Sequence, residues 1–164
     1  MSTYASSTTV DPGRSRAEIE STLARYGATS FGYATEDTPE QSRAAITFIA
    51  NGRHVRFLMS MPSRNSREFT HTPERGTKRS TEVAFKAWEQ ACRQRWRALA
   101  LVIKAKLEAV ESGIVTFEAE FLAHTIVPGT GQTVAEQIEP SLARAIETGT
   151  APRLLQITTG GGES

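Results

Sequence analysis

The sequence predicts an α+β fold: a three-stranded antiparallel sheet packed on a long amphipathic helix, with smaller helices flanking it. Three observations carry this. Asn51-Gly52 separates two alternating segments, and that dipeptide suits the two positive φ angles of a type I′ hairpin turn. An apolar stripe of helical period runs from Phe85 to Val110. Capping residues bracket both that stripe and the segment after Thr133.

Taken in order, residues 1–13 are Ser/Thr-rich and unpatterned and read as a flexible tail. A helix is expected from Ser15 to Tyr26, because Ile19, Leu23 and Tyr26 share one helical face. Ser15 and Glu18 have capping-box spacing, and Gly27 suits the left-handed stop. Ser30–Thr35 alternates as a strand, with Phe31 and Tyr33 on one face, until Thr38-Pro39 breaks it. The hairpin turn then sets a register for Arg43–Ala50 and Arg53–Met61. Ala50 faces Arg53, Phe48 faces Val55, Ile46 faces Phe57 and Ala44 faces Met59. Arg43, Thr47, His54 and Arg56 fall on the opposite face, which is expected to be wet or bound to something.

Residues 62–79 read PSRNSREFTHTPERGTKR, with five Arg/Lys residues, His71, two prolines and one aromatic, Phe69. A connection beyond about 12–15 residues is expected to be functional or disordered. Like charges at this density repel, so without a partner the segment is predicted to be the most mobile interior part of the chain, mostly exposed and without regular structure except near Ser80. The long helix is expected over 81–112, about 48 Å at ~1.5 Å per residue, capped by Ser80 and stopped by Gly113. Its stripe of Phe85, Trp88, Cys92, Trp96, Leu99, Ile103, Leu107 and Val110 reads as core, with Cys92 a buried, inert thiol. Lys86, Arg93, Arg97 and Lys104 lie within about 40° of each other on another face, with Arg95 and Lys106 on its flanks. Thr116 caps an expected short helix over 117–124. An extended piece and turn follow at 125–129. Thr133 and Glu136 form a capping box for a helix reaching Thr148 and Gly149, with Pro140 required to kink or restart it. One domain is therefore expected over 14–157, followed by a flexible Gly-rich tail at 158–164.

The 164 residues hold 38% hydrophobic and 23% charged residues and carry a net charge of +1. That composition belongs to an ordinary soluble domain and excludes collagen-like and rod-like chains. The charge is unevenly placed: −2 over 1–51, +9 over 52–106 and −6 over 107–164. A strongly basic middle implies a polyanion partner, or an acidic last third that folds back and neutralises it. No apolar run approaches the ~18–20 residues of a membrane span, and no secretory signal opens the chain. With a single cysteine, a reducing, cytoplasmic setting is expected.

Catalytic motifs are missing. His54, His71 and His124 have no metal spacing among them. There is no G-x-S-x-G elbow, and Gly76-Thr-Lys-Arg-Ser80 lacks the first glycine of a phosphate-binding loop. The threonines after His71 and His124 sit one position early for a two-histidine phosphoesterase. No catalytic residue, metal or cofactor is therefore assigned. The residues do suit nucleic-acid binding, DNA or RNA. Arg56, Arg64, Arg67, Arg75, Lys78, Arg79, Lys86, Arg93 and Arg97 are the expected phosphate contacts, and Phe69 the base-stacking residue. A rival is a protein–protein inhibitor of a nucleic-acid enzyme, acting through Glu108, Glu111, Glu118 and Glu120 of the acidic last third. A metal-dependent nuclease would need Glu118, Glu120 and His124 together. Oligomeric state is not legible.

Residues 95–124, RWRALALVIKAKLEAVESGIVTFEAEFLAH, together with Phe69-Thr-His-Thr-Pro73, resemble small uncharacterised proteins encoded by bacteriophages and prophages. The resemblance runs from about residue 16 to 155. It implies a viral setting and no particular activity: the compartment would be the host-cell cytoplasm, and the rival inhibitor's target a host nucleic-acid enzyme or anti-phage defence complex. In topology, the order α-β-β-β-α with Gly76–Ser80 opening the last helix is similar to a double-stranded RNA-binding domain, which also places a basic cluster at that helix start. The loop before the helix is longer here, and the helix about twice as long.

Overall fold

The computed structural model describes residues 13–38 and 41–151. The expected tail at 158–164 and all but Gly13 of the tail at 1–13 lie outside the described residues. Helix α1, Gly13–Arg25, buries Ile19, Thr22 and Leu23. It already includes Gly13, so Ser15 is an interior residue and not the expected cap. Gly27 follows at φ 90°, a backbone angle that glycine adopts without strain.

Strands β1 (Ser30–Asp37), β2 (Ser42–Ala50) and β3 (Arg53–Ser60) form an antiparallel sheet in the order β1-β2-β3. The β2–β3 register pairs Ala50 with Arg53, Phe48 with Val55, Ile46 with Phe57 and Ala44 with Met59, as the turn dictates. Asn51 and Gly52 take φ of 49° and 68°, the two positive angles that turn requires. β1 runs two residues beyond Thr35, because Thr38 and Gln41 close the next turn (Thr38 N to Gln41 O, 2.8 Å) and leave Asp37 opposite Ser42.

Helix α2 is the single turn Arg67–Thr70, and α3 spans Thr81–Glu111. Ser80 Oγ accepts from Val83 N at 3.3 Å, and Gly113 follows the helix at φ 75°. Cys92, Trp96, Ala100, Ile103 and Leu107 are buried along α3. The main core joins the last four of these to Ile19 and Leu23 of α1 and to Ile46, Phe48, Val55 and Phe57 of the sheet. At 31 residues α3 is about 46 Å long, whereas a nine-residue strand reaches only about 30 Å. The helix therefore overhangs the sheet. Its N-terminal turns pack instead against the 62–79 segment.

The expected helix over 117–124 divides at Phe121 into α4, Phe117–Glu120, and a 3-10 turn, Leu122–His124. Thr116 caps α4 by accepting from Ala119 N at 3.2 Å. Phe117 and Phe121 stack at 4.5 Å, and Phe121 meets Phe48 and Phe57 edge-on. Thr125 then pairs with Val55, and Ile126 N donates to His54 O at 2.8 Å, so this segment lies along the outer edge of β3. Helix α5, Val134–Thr148, opens with the Thr133–Glu136 capping box and ends at Gly149 in the left-handed region. It continues through Pro140, and none of its residues is buried. Among the described residues no helix is long and apolar enough to cross a membrane.

Candidate nucleic-acid interface

The 62–79 segment is mostly exposed, as expected, but it carries local backbone structure where its charge predicts none. Phe69 is 7% exposed and anchors α2 against α3. His71 and Lys78 form a β-bridge. Between them Thr72 N donates to Thr77 O at 2.8 Å and Gly76 N to Thr72 O at 3.0 Å, with Gly76 at φ 61°. Arg79 N donates to Thr70 O at 2.7 Å and ties the end of the segment back to α2. The buried ring anchors the segment and the closed turn satisfies its backbone, while Arg79 Nη1 reaches back to Phe69 O at 3.5 Å.

Burial also corrects the role expected of Phe69, whose ring is not offered to a base. The available aromatic surface is on α3. Phe85 and Trp88, read from periodicity as core, are half-buried because they lie on the overhang. Their rings sit 5.5 Å apart, and Arg64 places its guanidinium 4.5 Å from the Trp88 centroid and 5.1 Å from that of Phe85. Trp88 Nε1 donates to Pro62 O at 2.9 Å, which fixes the indole under the start of the segment. The comparison of helix length with strand length is the one signal in the sequence that could have located this pair.

Arg64, Arg67, Arg75 and Lys78 are exposed and Arg79 is half-buried. None of the five forms a salt bridge among the described residues. On α3, Lys86, Arg93 and Arg97 are exposed. Lys86 pairs with Glu82 at 3.0 Å, and Arg93 donates to Gln90 Oε1 at 3.0 Å. The segment and the N-terminal half of α3 thus present one basic surface around the Arg64–Trp88–Phe85 stack.

Arg56 does not belong to it. It lies on the sheet face opposite α3, where Nη2 meets Glu136 Oε2 at 2.6 Å and Nη1 donates to Gly131 O at 3.1 Å. There it fastens the start of α5 to the sheet. The backbone N–H of Thr133 and the Arg56 guanidinium together hold the Glu136 carboxyl below its ordinary pKa. Two further pairs join the basic middle to the acidic last third: Arg53 with Glu118 at 4.0 Å and Lys106 with Glu120 at 2.7 Å. The acidic third therefore folds back on three cations and leaves those of the 62–79 segment alone.

The same pairs bear on the other readings. Glu118 and Glu120 face different cations, and His124 stacks on Phe57 at 4.0 Å, where burial and Lys106 push its pKa down. No group of three or more candidate metal ligands occurs among the described residues. Burial raises the Cys92 thiol to about 11, too high for a thiolate nucleophile at neutral pH. No protein-family model, no curated protein and no solved structure matches this chain.

Proposed function

We propose that this chain is a small accessory protein of phage type that binds nucleic acid through the 62–79 segment and the N-terminal half of α3. One observation carries the reading. Five cations on an ordered scaffold have no carboxylate partner among the described residues, although the same chain neutralises Arg53, Arg56 and Lys106 with its acidic third. Unpaired cations held in place lose little entropy on meeting phosphates, and they release counterions from the nucleic acid. The Arg64 guanidinium over the Trp88 and Phe85 rings adds a cationic and aromatic surface for an unpaired base, so single strands suit the site better than duplex. The phage setting rests on the resemblance of residues 95–124.

The rival reading, an inhibitor acting through its acids on a host protein complex, has less support. Glu118 and Glu120 are held by Arg53 and Lys106, and Glu111 lies close enough to Tyr26 to raise the pKa of its phenol. The test is a titration of labelled single-stranded oligonucleotides at 50 and 200 mM salt. Affinity should fall steeply between the two. Binding that ignores salt, or no binding, rejects the proposal.

A further inference from the structure

We infer that the cleft between the end of β1 and the start of the 62–79 segment takes an unpaired guanine base. This rests on the nucleic-acid reading above and names the group that such a surface would single out. The cleft is lined by Asp37, Thr38, Ser63, Arg64 and Asn65. Arg64 is exposed and its guanidinium is backed by two aromatic rings, which hold it in place to meet a flat π-system from the solvent side. Across from it stands a carboxylate. Asp37 forms no salt bridge or side-chain hydrogen bond among the described residues.

A free carboxylate beside a phosphate-binding surface lowers affinity for any polyanion. It contributes only where the ligand brings N–H donors to meet it. Guanine carries two adjacent donors on its pairing edge, N1–H and the N2 amino group, which match the two oxygens of one carboxylate. Adenine and cytosine present a single amino group there, and thymine or uracil a single imide N–H. Asn65 lines the same cleft and supplies an amide donor suited to the neighbouring O6. Base pairing hides this edge, so the base must be unpaired. The cleft wall is set before binding: Gln41 N donates to Thr38 Oγ1 at 3.0 Å, and Ser66 N donates to Ser63 O at 3.0 Å.

The test uses the full chain and fluorescently labelled 12-mers: oligothymidine, the same strand with one central guanine, and the uridine equivalents in RNA. One guanine should tighten binding on the order of tenfold, the discrimination usual for a two-point contact to a base edge. The DNA and RNA arms report which sugar the surface accepts. Inosine, which lacks the N2 amino group, should lose most of the gain, whereas 7-deazaguanine should keep it. Asp37→Asn should abolish the guanine gain yet bind plain oligothymidine as well as before or slightly better, since a repulsive charge is gone. Salt-dependent binding with no guanine preference, or a preference that survives Asp37→Asn, overturns the guanine site and leaves the wider reading standing. Absence of binding to every strand overturns both.

Discussion

Arg53 and Arg56 on β3 and Arg64, Arg67, Arg75 and Arg79 just beyond it belong to one basic stretch of sequence, yet among the described residues the first pair has carboxylate partners and the second group has none. Strand β3 is rigid, and the 125–133 segment pairs along its edge, which carries Glu118 and Glu136 to Arg53 and Arg56. The 62–79 segment packs on the opposite end of α3. Phe85 and Lys106 are 21 residues apart on that helix, about 31 Å, and no acid of the last third pairs with the segment's cations among the described residues. Charge density along a chain therefore says little about where a surface stays charged. What decides is which acidic elements the topology brings within a few ångströms.

The strongest way to break this contrast is to remove the unpaired group. Replacing Arg64, Arg67, Arg75 and Arg79 together by Gln should weaken single-strand binding on the order of a hundredfold at low salt. The slope of log affinity against log salt should fall by about 3, since each single-strand phosphate contact contributes about 0.7. Thermal stability should fall by only about 1–2 kcal/mol: none of the four holds a salt bridge among the described residues, and the main loss is the Arg64 contact with Trp88 and Phe85. Phe69→Ala attacks the scaffold of the same segment. Losing a buried ring should cost about 3 kcal/mol, and trypsin should then cut first within residues 62–79. A segment that is already the first to be cut in the unaltered protein would contradict the order described above.

Smaller effects belong to the neutralised set. Glu136→Gln keeps the shape of the cap but loses its charge on Arg56 and Thr133 N. It should cost about 1 kcal/mol, the usual worth of a cap, and leave oligonucleotide affinity unchanged. Acid should do the same in the unaltered protein. Glu136 has a lowered pKa in the folded state, so its contribution is complete above the ordinary carboxylate range and is lost as pH falls through the lowered value. His124, also lowered, is neutral in the fold, and its contribution fades as pH drops below about 6.5. Hydrogen exchange during acid titration should show α5 and the 3-10 turn loosening before the sheet. Smallest of all, Glu82→Gln removes an exposed i,i+4 pair with Lys86 and should cost about 0.3–0.5 kcal/mol.

Much of the fold can be read from short stretches of sequence. The Asn51-Gly52 turn sets all eight β2–β3 pairs. Ser80 and Gly113 bound α3, and Thr133 with Glu136 opens α5. The site is less legible. The basic surface is where composition puts it, but its aromatic part is not: Phe69 is buried, while Phe85 and Trp88 lie on a helix that outruns the sheet. A periodic stripe records which side of a helix is apolar, and not how far along that side a neighbour extends.

The sequence by itself determined the elements that residues a few positions apart can settle: a hairpin register, helix caps, an apolar face. Tertiary structure alone decided which cations meet a carboxylate among the described residues. Arg56 and Glu136 are 80 residues apart, and Arg53 and Glu118 are also widely separated in the chain. Such a pair forms only when strands and turns between the two residues carry them together. Its energy falls off over a few ångströms in water and salt, so knowing that both charges exist does not show that they meet.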